Sequence, residues 1–259
     1  MYIWKFWRDT RRGVFIYLGL LVVGAALWLG AMHRATHSRS IHVDPASVWM
    51  MEVGITFALA YLCALVMAFV TGNNNVGSDI GKGTGDFLLT RPRSRSYFVW
   101  TGWMAGIVEL TALILATIAV VFGLGVLVTG AAWRHVPSPF HFAVGEGSQS
   151  GSLDVPLMFA MIMLTAAVIY GLTYFMSVLL RSGQRGVVWS IAVLFAYSIG
   201  SALLKQFAGV ELPSLNFANP GANVSHAWYL TPNVQMIGWT LLSIAFPFAA
   251  QMSLDRADI

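Results

Sequence analysis

Six long apolar stretches follow one another along the chain, and most polar and charged residues lie between them. A helix of about 20 apolar residues crosses the hydrocarbon core of a bilayer. The stretches that meet this length are 13–32, 47–70, 98–127, 155–180, 186–204 and 234–252. Lipid cannot satisfy free backbone groups, and these runs are too long and too uniformly apolar for the strands of a barrel. The pattern therefore predicts an all-α integral membrane protein with six transmembrane helices.

Composition excludes a soluble protein. Of the 259 residues, 57% are hydrophobic and 10% are charged, whereas soluble domains have about 45–50% and about 25%. A soluble fold of this size has too little interior to hide so much apolar surface. Cys63 is the only cysteine, which excludes a disulfide within the chain and a cysteine metal cluster. No repeat or low-complexity linker divides the sequence, so we expect one transmembrane domain over 1–259.

The few charged residues determine the expected orientation. An even number of spans places both termini on one side, and basic residues are enriched in cytoplasmic loops. With the termini in the cytoplasm, eleven basic residues are inside and four are outside. The inside set is Lys5, Arg8, Arg11, Arg12, Lys82, Arg91, Arg93, Arg95, Arg181, Arg185 and Arg256, and the outside set is Arg34, Arg39, Arg134 and Lys205. We expect a multi-pass protein of the cytoplasmic (inner) membrane with both termini in the cytoplasm.

Residues 1–12, MYIWKFWRDTRR, have the pattern of an amphipathic helix. Lys5, Arg8 and Arg12 share one face, and Phe6 and Trp7 lie on the opposite one. Tryptophan and arginine in this arrangement suit the headgroup layer. We expect an interfacial helix that lies flat before the chain turns into the first span; the alternative is a basic tail that only sets the topology.

The loop 71–97 between spans two and three contains GSDIGKGT, which imitates a phosphate-binding loop. That motif needs four residues between its first glycine and the Gly-Lys pair, with Ser or Thr directly after the lysine. Here three residues separate Gly77 from Gly81, and Gly83 follows Lys82. We therefore expect no nucleotide site and no other cofactor in this chain.

The same loop resembles the cytoplasmic segment of ABC transporter permeases of the type-2 exporter class. The resemblance rests on DIGKGTGDFLLTRPRSR, in which the matching positions are Asp79, Lys82, Gly83, Thr84, Asp86, Leu88, Leu89, Thr90, Arg91, Pro92, Ser94 and Arg95. It extends to the interfacial helix, the six spans, the short acidic tail and the turn MSVLLRSGQRG after span four. Gly81, Gly85 and Trp103 depart from the family pattern.

The resemblance implies a permease subunit that pairs as a homodimer or heterodimer and exports a substrate with two separate ATPase subunits, which hold ATP and Mg. It also implies a short coupling helix that ends near Pro92 and docks on the ATPase, with Leu88 and Leu89 as apolar anchors and Asp79 and Asp86 as a polar rim. Lys82, Thr84 and Arg91 belong to the same coupling segment. The alternative for the loop is a solvated segment whose arginines only fix topology.

Two other function classes stay open from the residues. One is a sensory or immunity membrane protein without transport activity. The other is an intramembrane enzyme, which needs convergent His, Glu or Ser groups at membrane depth, whereas all six histidines fall in predicted loops. His33 and His37, followed by His42 and Asp44, have a spacing compatible with a metal, but interfacial polar residues that end a helix are the commoner explanation. A co-purifying ATPase would discriminate between the classes; the residues do not identify the substrate.

Glu109 is the one charged residue well inside a predicted span. It lies about 11 residues, or roughly 17 Å, into span three, where a charge costs about 3 kcal/mol on insertion scales. Small residues surround it at intervals of mostly three or four: Gly102, Ala105, Gly106, Ala112, Ala116, Ala119 and Gly123. Such spacing lets another helix pack closely, so we expect Glu109 to point into the bundle. Its role is either a structural hydrogen bond or a polar contact on the substrate path that senses protons.

Overall fold

The computed structural model is built from long helices and describes residues 2–37, 45–74, 76–83, 94–129, 141–144, 151–210, 212–213 and 232–256. The elements, in chain order, are α1 (Tyr2–His37), α2 (Pro45–Asn73), α3 (Val76–Gly81), α4 (Arg95–Thr129), β1 (His141–Val144), β2 (Gly151–Asp154), α5 (Val155–Leu179), α6 (Gly183–Ala208) and α7 (Pro232–Asp255).

Five of the helices in this described part are long and apolar enough to cross a membrane by length and composition: α2, α4, α5, α6 and α7. In α1 the described apolar segment, Gly13–Trp28, is shorter. Each predicted span lies within one of these helices or extends past its end by no more than one residue. The prediction of an all-α membrane fold is confirmed, and the chain is a multi-pass membrane protein.

Helix α5 forms the centre of the bundle. It packs against α2, α4, α6 and α7 and also against the short helix α3. Within its apolar span 67% of the residues are buried, against 6% in α6. Two fully buried tyrosines fasten α5 to α4, because the Tyr170 hydroxyl donates to the carbonyl oxygen of Gly102 at 3.1 Å and the Tyr174 hydroxyl to that of Val99 at 2.9 Å.

The expected break between an interfacial helix and span one is absent from residues 2–37, which form one continuous helix. Thr10 and Val14 are buried in the same stripe as Leu21 and Ala25. This spacing of four and seven residues keeps one face of α1 against the bundle on both sides of the predicted boundary. The helix expected over 1–12 is therefore present as the first part of α1, without the expected turn into span one, because Gly13 alone weakens a helix by only about 1 kcal/mol. Its place in the headgroup layer stays a prediction.

Two further features differ from the sequence-based expectation. Helix α2 extends to Asn73 and α4 begins at Arg95, so the connection between them is shorter than the predicted 71–97. The segment before α5 forms an antiparallel hairpin in which His141 pairs with Asp154 and Val144 with Gly151. The apolar-run pattern did not predict these strands, because four-residue strands carry too weak a periodic signal.

Candidate functional site

The short helix α3 directly follows α2 and lies against the turn that joins α5 to α6. Four of its residues are buried: Val76, Gly77, Ser78 and Asp79. The chain leaves α2 in a tight turn, in which the backbone N–H of Asn74 donates to the carbonyl oxygen of Thr71 at 3.2 Å. A six-residue helix has little stability by itself, so its packing against α5 and α6 keeps it in place.

Glycines make this packing possible on the α3 side. A Cβ atom added to Gly77 would lie 2.1 Å from the carbonyl oxygen of Ser177, and one added to Gly81 would lie 2.2 Å from that of Arg181. At Gly72, near the end of α2, an added Cβ would lie 2.6 Å from the Thr173 side chain. The backbones of α2 and α3 therefore touch α5 and its following turn directly, at distances that only glycine permits.

Glycines also permit close contact on the α6 side. An added Cβ on Gly183 would lie 2.3 Å from the carbonyl oxygen of Asn73, and one on Gly186 would lie 2.2 Å from the Ser177 hydroxyl. That hydroxyl donates to the carbonyl oxygen of Gly72 at 3.2 Å. Ser182 caps the start of α6. We call the five glycines 72, 77, 81, 183 and 186 the glycine junction.

Asp79 lies in this junction and is 9% exposed. It is within electrostatic reach of Tyr174 on α5. The resemblance implies a rim position at the ATPase surface for Asp79, whereas the structure shows its side chain buried. The glycine contacts hold α3 so close to α5 that Asp79 is enclosed between them.

Lys82 and Gly83 follow α3 and are exposed. Gly83 has a φ of 73°, a left-handed conformation that glycine adopts without strain, and its N–H donates to the carbonyl oxygen of Ile80 at 3.0 Å. This geometry ends the helix and directs the chain away from it. The remaining predicted coupling residues lie outside the described part of the chain: Thr84, Asp86, Leu88, Leu89, Arg91 and Pro92.

The chain is described again from Ser94, which is exposed, and α4 begins at Arg95. The Arg95 guanidinium donates to the carbonyl oxygen of Leu254 at 3.1 Å, which joins the start of α4 to the end of α7. Trp100, one and a half turns later, donates to the Gln251 side chain at 3.0 Å. Both ends of the predicted coupling segment are thus fixed to the bundle, one by the glycine junction and the other by α7.

Glu109 lies inside the bundle, as the sequence predicted, and is 9% exposed. Neither of its carboxyl oxygens has a hydrogen-bond partner in the described structure. Thr10 of α1 lies beside the carboxyl group, and Tyr170 of α5 is within electrostatic reach. No hydrogen bond to this carboxyl group is formed in the described structure, and Thr10 is the side chain placed to make one.

The small residues near Glu109 do not all face a neighbouring helix, which differs from the prediction. Gly106 contacts α5 so closely that an added Cβ would lie 2.1 Å from the Tyr170 hydroxyl oxygen. Ala112 and Ala119 are instead exposed. The buried stripe of α4 runs through Leu113 and its neighbours on one side of Glu109, so Glu109 lies at the edge of the stripe and the alanines on its other side face outward.

Metal binding has no candidate in the described residues, which contain no group of three or more His, Cys, Asp or Glu side chains that could hold an ion. The side chains of His33 and His37, with His42 and Asp44, fall outside the described residues.

Comparison with known proteins places the chain in one family. The family model described as "Protein of unknown function (DUF2705)" matches residues 40–258. The chain belongs to the DUF2705 family. The match covers the glycine junction, the coupling segment and Glu109, and it leaves out the whole of α1. No curated protein and no solved structure gives a significant match.

In this DUF2705 protein, sequence reasoning missed the glycine junction. The signal was present as Gly77 and Gly81 four residues apart and as Gly183 and Gly186 three residues apart. Such spacing places two glycines on one face of a helix. The first pair lies in a segment that imitates a phosphate-binding loop. A single sequence does not show which turn a glycine face will contact.

Proposed function

We propose that this chain is the membrane-spanning permease subunit of an ABC-type exporter and that a separate cytoplasmic ATPase subunit supplies the energy. The observation that carries the proposal is the position-by-position resemblance of residues 79–95 to the coupling segment of type-2 exporter permeases. A second permease subunit, as a homodimer or heterodimer, completes the transporter. The chain itself does no covalent chemistry, and its contribution is alternating access to the two sides of the membrane.

The packing around the coupling segment supports this proposal. Direct backbone contact at the glycine junction leaves no flexible side chain between α3 and the start of α6, so displacement of α3 moves α6 with it. Arg95 makes the equivalent connection to α7 through the carbonyl oxygen of Leu254. A force applied between Gly83 and Ser94 thereby reaches five helices: α2, α4, α5, α6 and α7.

The proposed orientation places the glycine junction in the cytoplasm. Basic residues gather at this end of the bundle, namely Lys82, Arg95, Arg181, Arg185 and Arg256. Cytoplasmic loops carry such an excess of lysine and arginine. Both termini then face the cytoplasm, and the hairpin β1–β2 faces the opposite side of the inner membrane.

Affinity capture of the tagged chain from its native membranes in a mild detergent tests the proposal. We expect an ATPase of the ABC class to co-purify in near-stoichiometric amount and to be lost with Leu88→Asp, which places a charge on a predicted apolar anchor. Gln206→Asp is the matched control, because Gln206 is exposed at the other end of α6. Capture of the intact chain without any ATPase would contradict the proposal and favour a sensory or immunity role.

A further inference from the structure

A groove with a volume of about 300 Å³ lies between α4, α5 and α7. Its lining includes Thr111 on α4, Ala160, Met163 and Ala167 on α5, and Met236 on α7. All of these residues lie within the apolar segments that are long enough to cross the membrane. The groove is therefore at membrane depth, in the half of the bundle nearer the hairpin.

The lining offers no free polar group to a ligand. Thr111 and Thr240 are its two hydroxyl-bearing residues. Thr111 donates to the carbonyl oxygen of Ile107 at 2.8 Å, and Thr240 donates to that of Met236 at 2.6 Å. Because each hydroxyl bonds the preceding turn of its own helix, the groove presents an apolar wall.

The groove is continuous with the lipid-facing surface of the protein. Beside Thr111 on α4, the side chains of Val108 and Leu115 are 63% and 57% exposed. Beside Met236 and Thr240 on α7, Ile237 and Leu241 are 62% and 64% exposed. Since these exposed apolar side chains belong to helices that are long and apolar enough to cross a membrane, we expect lipid chains at both borders of the groove.

The size of the groove fits one hydrocarbon chain. About 10–15 Å³ of such volume is enough to hold one water molecule, so a groove of about 300 Å³ has room for a run of methylene groups. Two methionines in the lining, Met163 and Met236, adapt their shape to a flexible apolar partner. Such a run corresponds to the middle portion of a phospholipid acyl chain.

From these observations we propose that the groove between α4, α5 and α7 binds one acyl chain of a membrane phospholipid. The site goes beyond the proposed transport function and does not depend on an ATPase. An acyl chain that enters the three-sided groove leaves an equally apolar environment, the bulk lipid. Its binding therefore derives from closer van der Waals packing rather than from the hydrophobic effect. The accumulated extra contacts correspond to about a tenfold preference over the open helix surface.

Photolabelling of the full chain in lipid nanodiscs tests this site. The probe is a phospholipid with a diazirine at the middle of one acyl chain, and labelled peptides are identified by mass spectrometry. We expect labelling to concentrate on the peptides that contain Thr111, Met163 and Met236. In Ala167→Phe a phenyl ring occupies the groove, and labelling of these peptides falls by about tenfold.

Two further variants make the result decisive. Ala160→Phe fills the other end of the α5 wall and loses labelling in the same way, whereas Ala192→Phe on the exposed surface of α6 keeps it. Only variants that remain monodisperse and helical are compared. Even labelling over all lipid-facing helices, or unchanged labelling in both filled variants, overturns the proposal. Cross-links from the groove to a second copy or to another segment of the same chain also overturn it, because lipid is then not the occupant.

Discussion

At the scale of single residues, Glu109 lies beside Thr10 inside the bundle, yet neither of its carboxyl oxygens has a hydrogen-bond partner in the described structure. A buried polar group without a partner carries its full desolvation penalty, about 1–3 kcal/mol and more for a charged group. Replacing such a group by an apolar one of similar shape removes the penalty. Glu109 is therefore a residue whose presence lowers stability.

We expect Glu109→Leu to raise the free energy of unfolding by about 1–3 kcal/mol, and Glu109→Gln to change it little, because the amide is as polar as the carboxyl group. The measurement is thermal unfolding of the purified variants in one detergent. Ala112→Leu on the exposed side of α4 is the control and should stay within about 0.5 kcal/mol of the parent. A clear loss of stability in Glu109→Leu would show that the carboxyl group makes a structural bond after all.

At the scale of helices, the sequence predicted where each span lies but not how the spans pack. Run length and hydropathy locate a span because a bilayer sets the length of the helix that crosses it. They do not reveal that α5 is central and that α6 is mostly exposed, since both sequences are equally apolar. The N-terminal segment shows this limit. Its charges indicated a separate interfacial helix, whereas the buried Thr10 and Val14 place this part of α1 against the bundle.

The predicted coupling segment lies between spans two and three in the sequence, and its role stays a prediction. The burial of Glu109 follows from its depth in span three. The burial of Asp79 did not follow, because it depends on the contact of Gly77 with the carbonyl oxygen of Ser177. That contact joins residues 100 positions apart, and no local pattern encodes it.

The close contacts of the glycine junction lead to a prediction at the scale of helices. In Gly77→Ala the new Cβ meets the backbone of Ser177 rather than a flexible side chain, so α3 must move away from α5. We expect a loss of stability of about 1–3 kcal/mol, the usual cost of overpacking. Gly200→Ala is the matched control, because nothing lies within 4 Å of an added Cβ there, and a helix gains about 0.5–1 kcal/mol from that change. Equal stabilities of the two variants in chemical unfolding would contradict the tight contact.

At the scale of the whole molecule, the orientation in the membrane is the first prediction. Cysteines introduced at Ser94 and Ser148 should react with an impermeant reagent from opposite sides of the membrane, because an odd number of expected spans separates them. The background is Cys63→Ala, which removes the contact of the Thr117 hydroxyl with the Cys63 sulfur at 3.5 Å and leaves the Thr117 bond to the carbonyl oxygen of Leu113 at 2.7 Å. Labelling of residue 94 from outside intact cells would reverse the proposed orientation.

The central claim is that residues 79–95 connect this membrane domain to an ATPase, and the ATP hydrolysis rate of the reconstituted complex tests it most directly. The captured ATPase is assayed alone, with the parent chain in nanodiscs, and with the Asp86→Lys, Leu88→Asp and Gln206→Asp variants. We expect the parent chain and Gln206→Asp to change the hydrolysis rate of the ATPase. Asp86→Lys and Leu88→Asp should leave it at the rate of the ATPase alone, although both variants are folded and inserted. If the two loop variants change the hydrolysis rate as the parent chain does, residues 79–95 are not the connection to the ATPase.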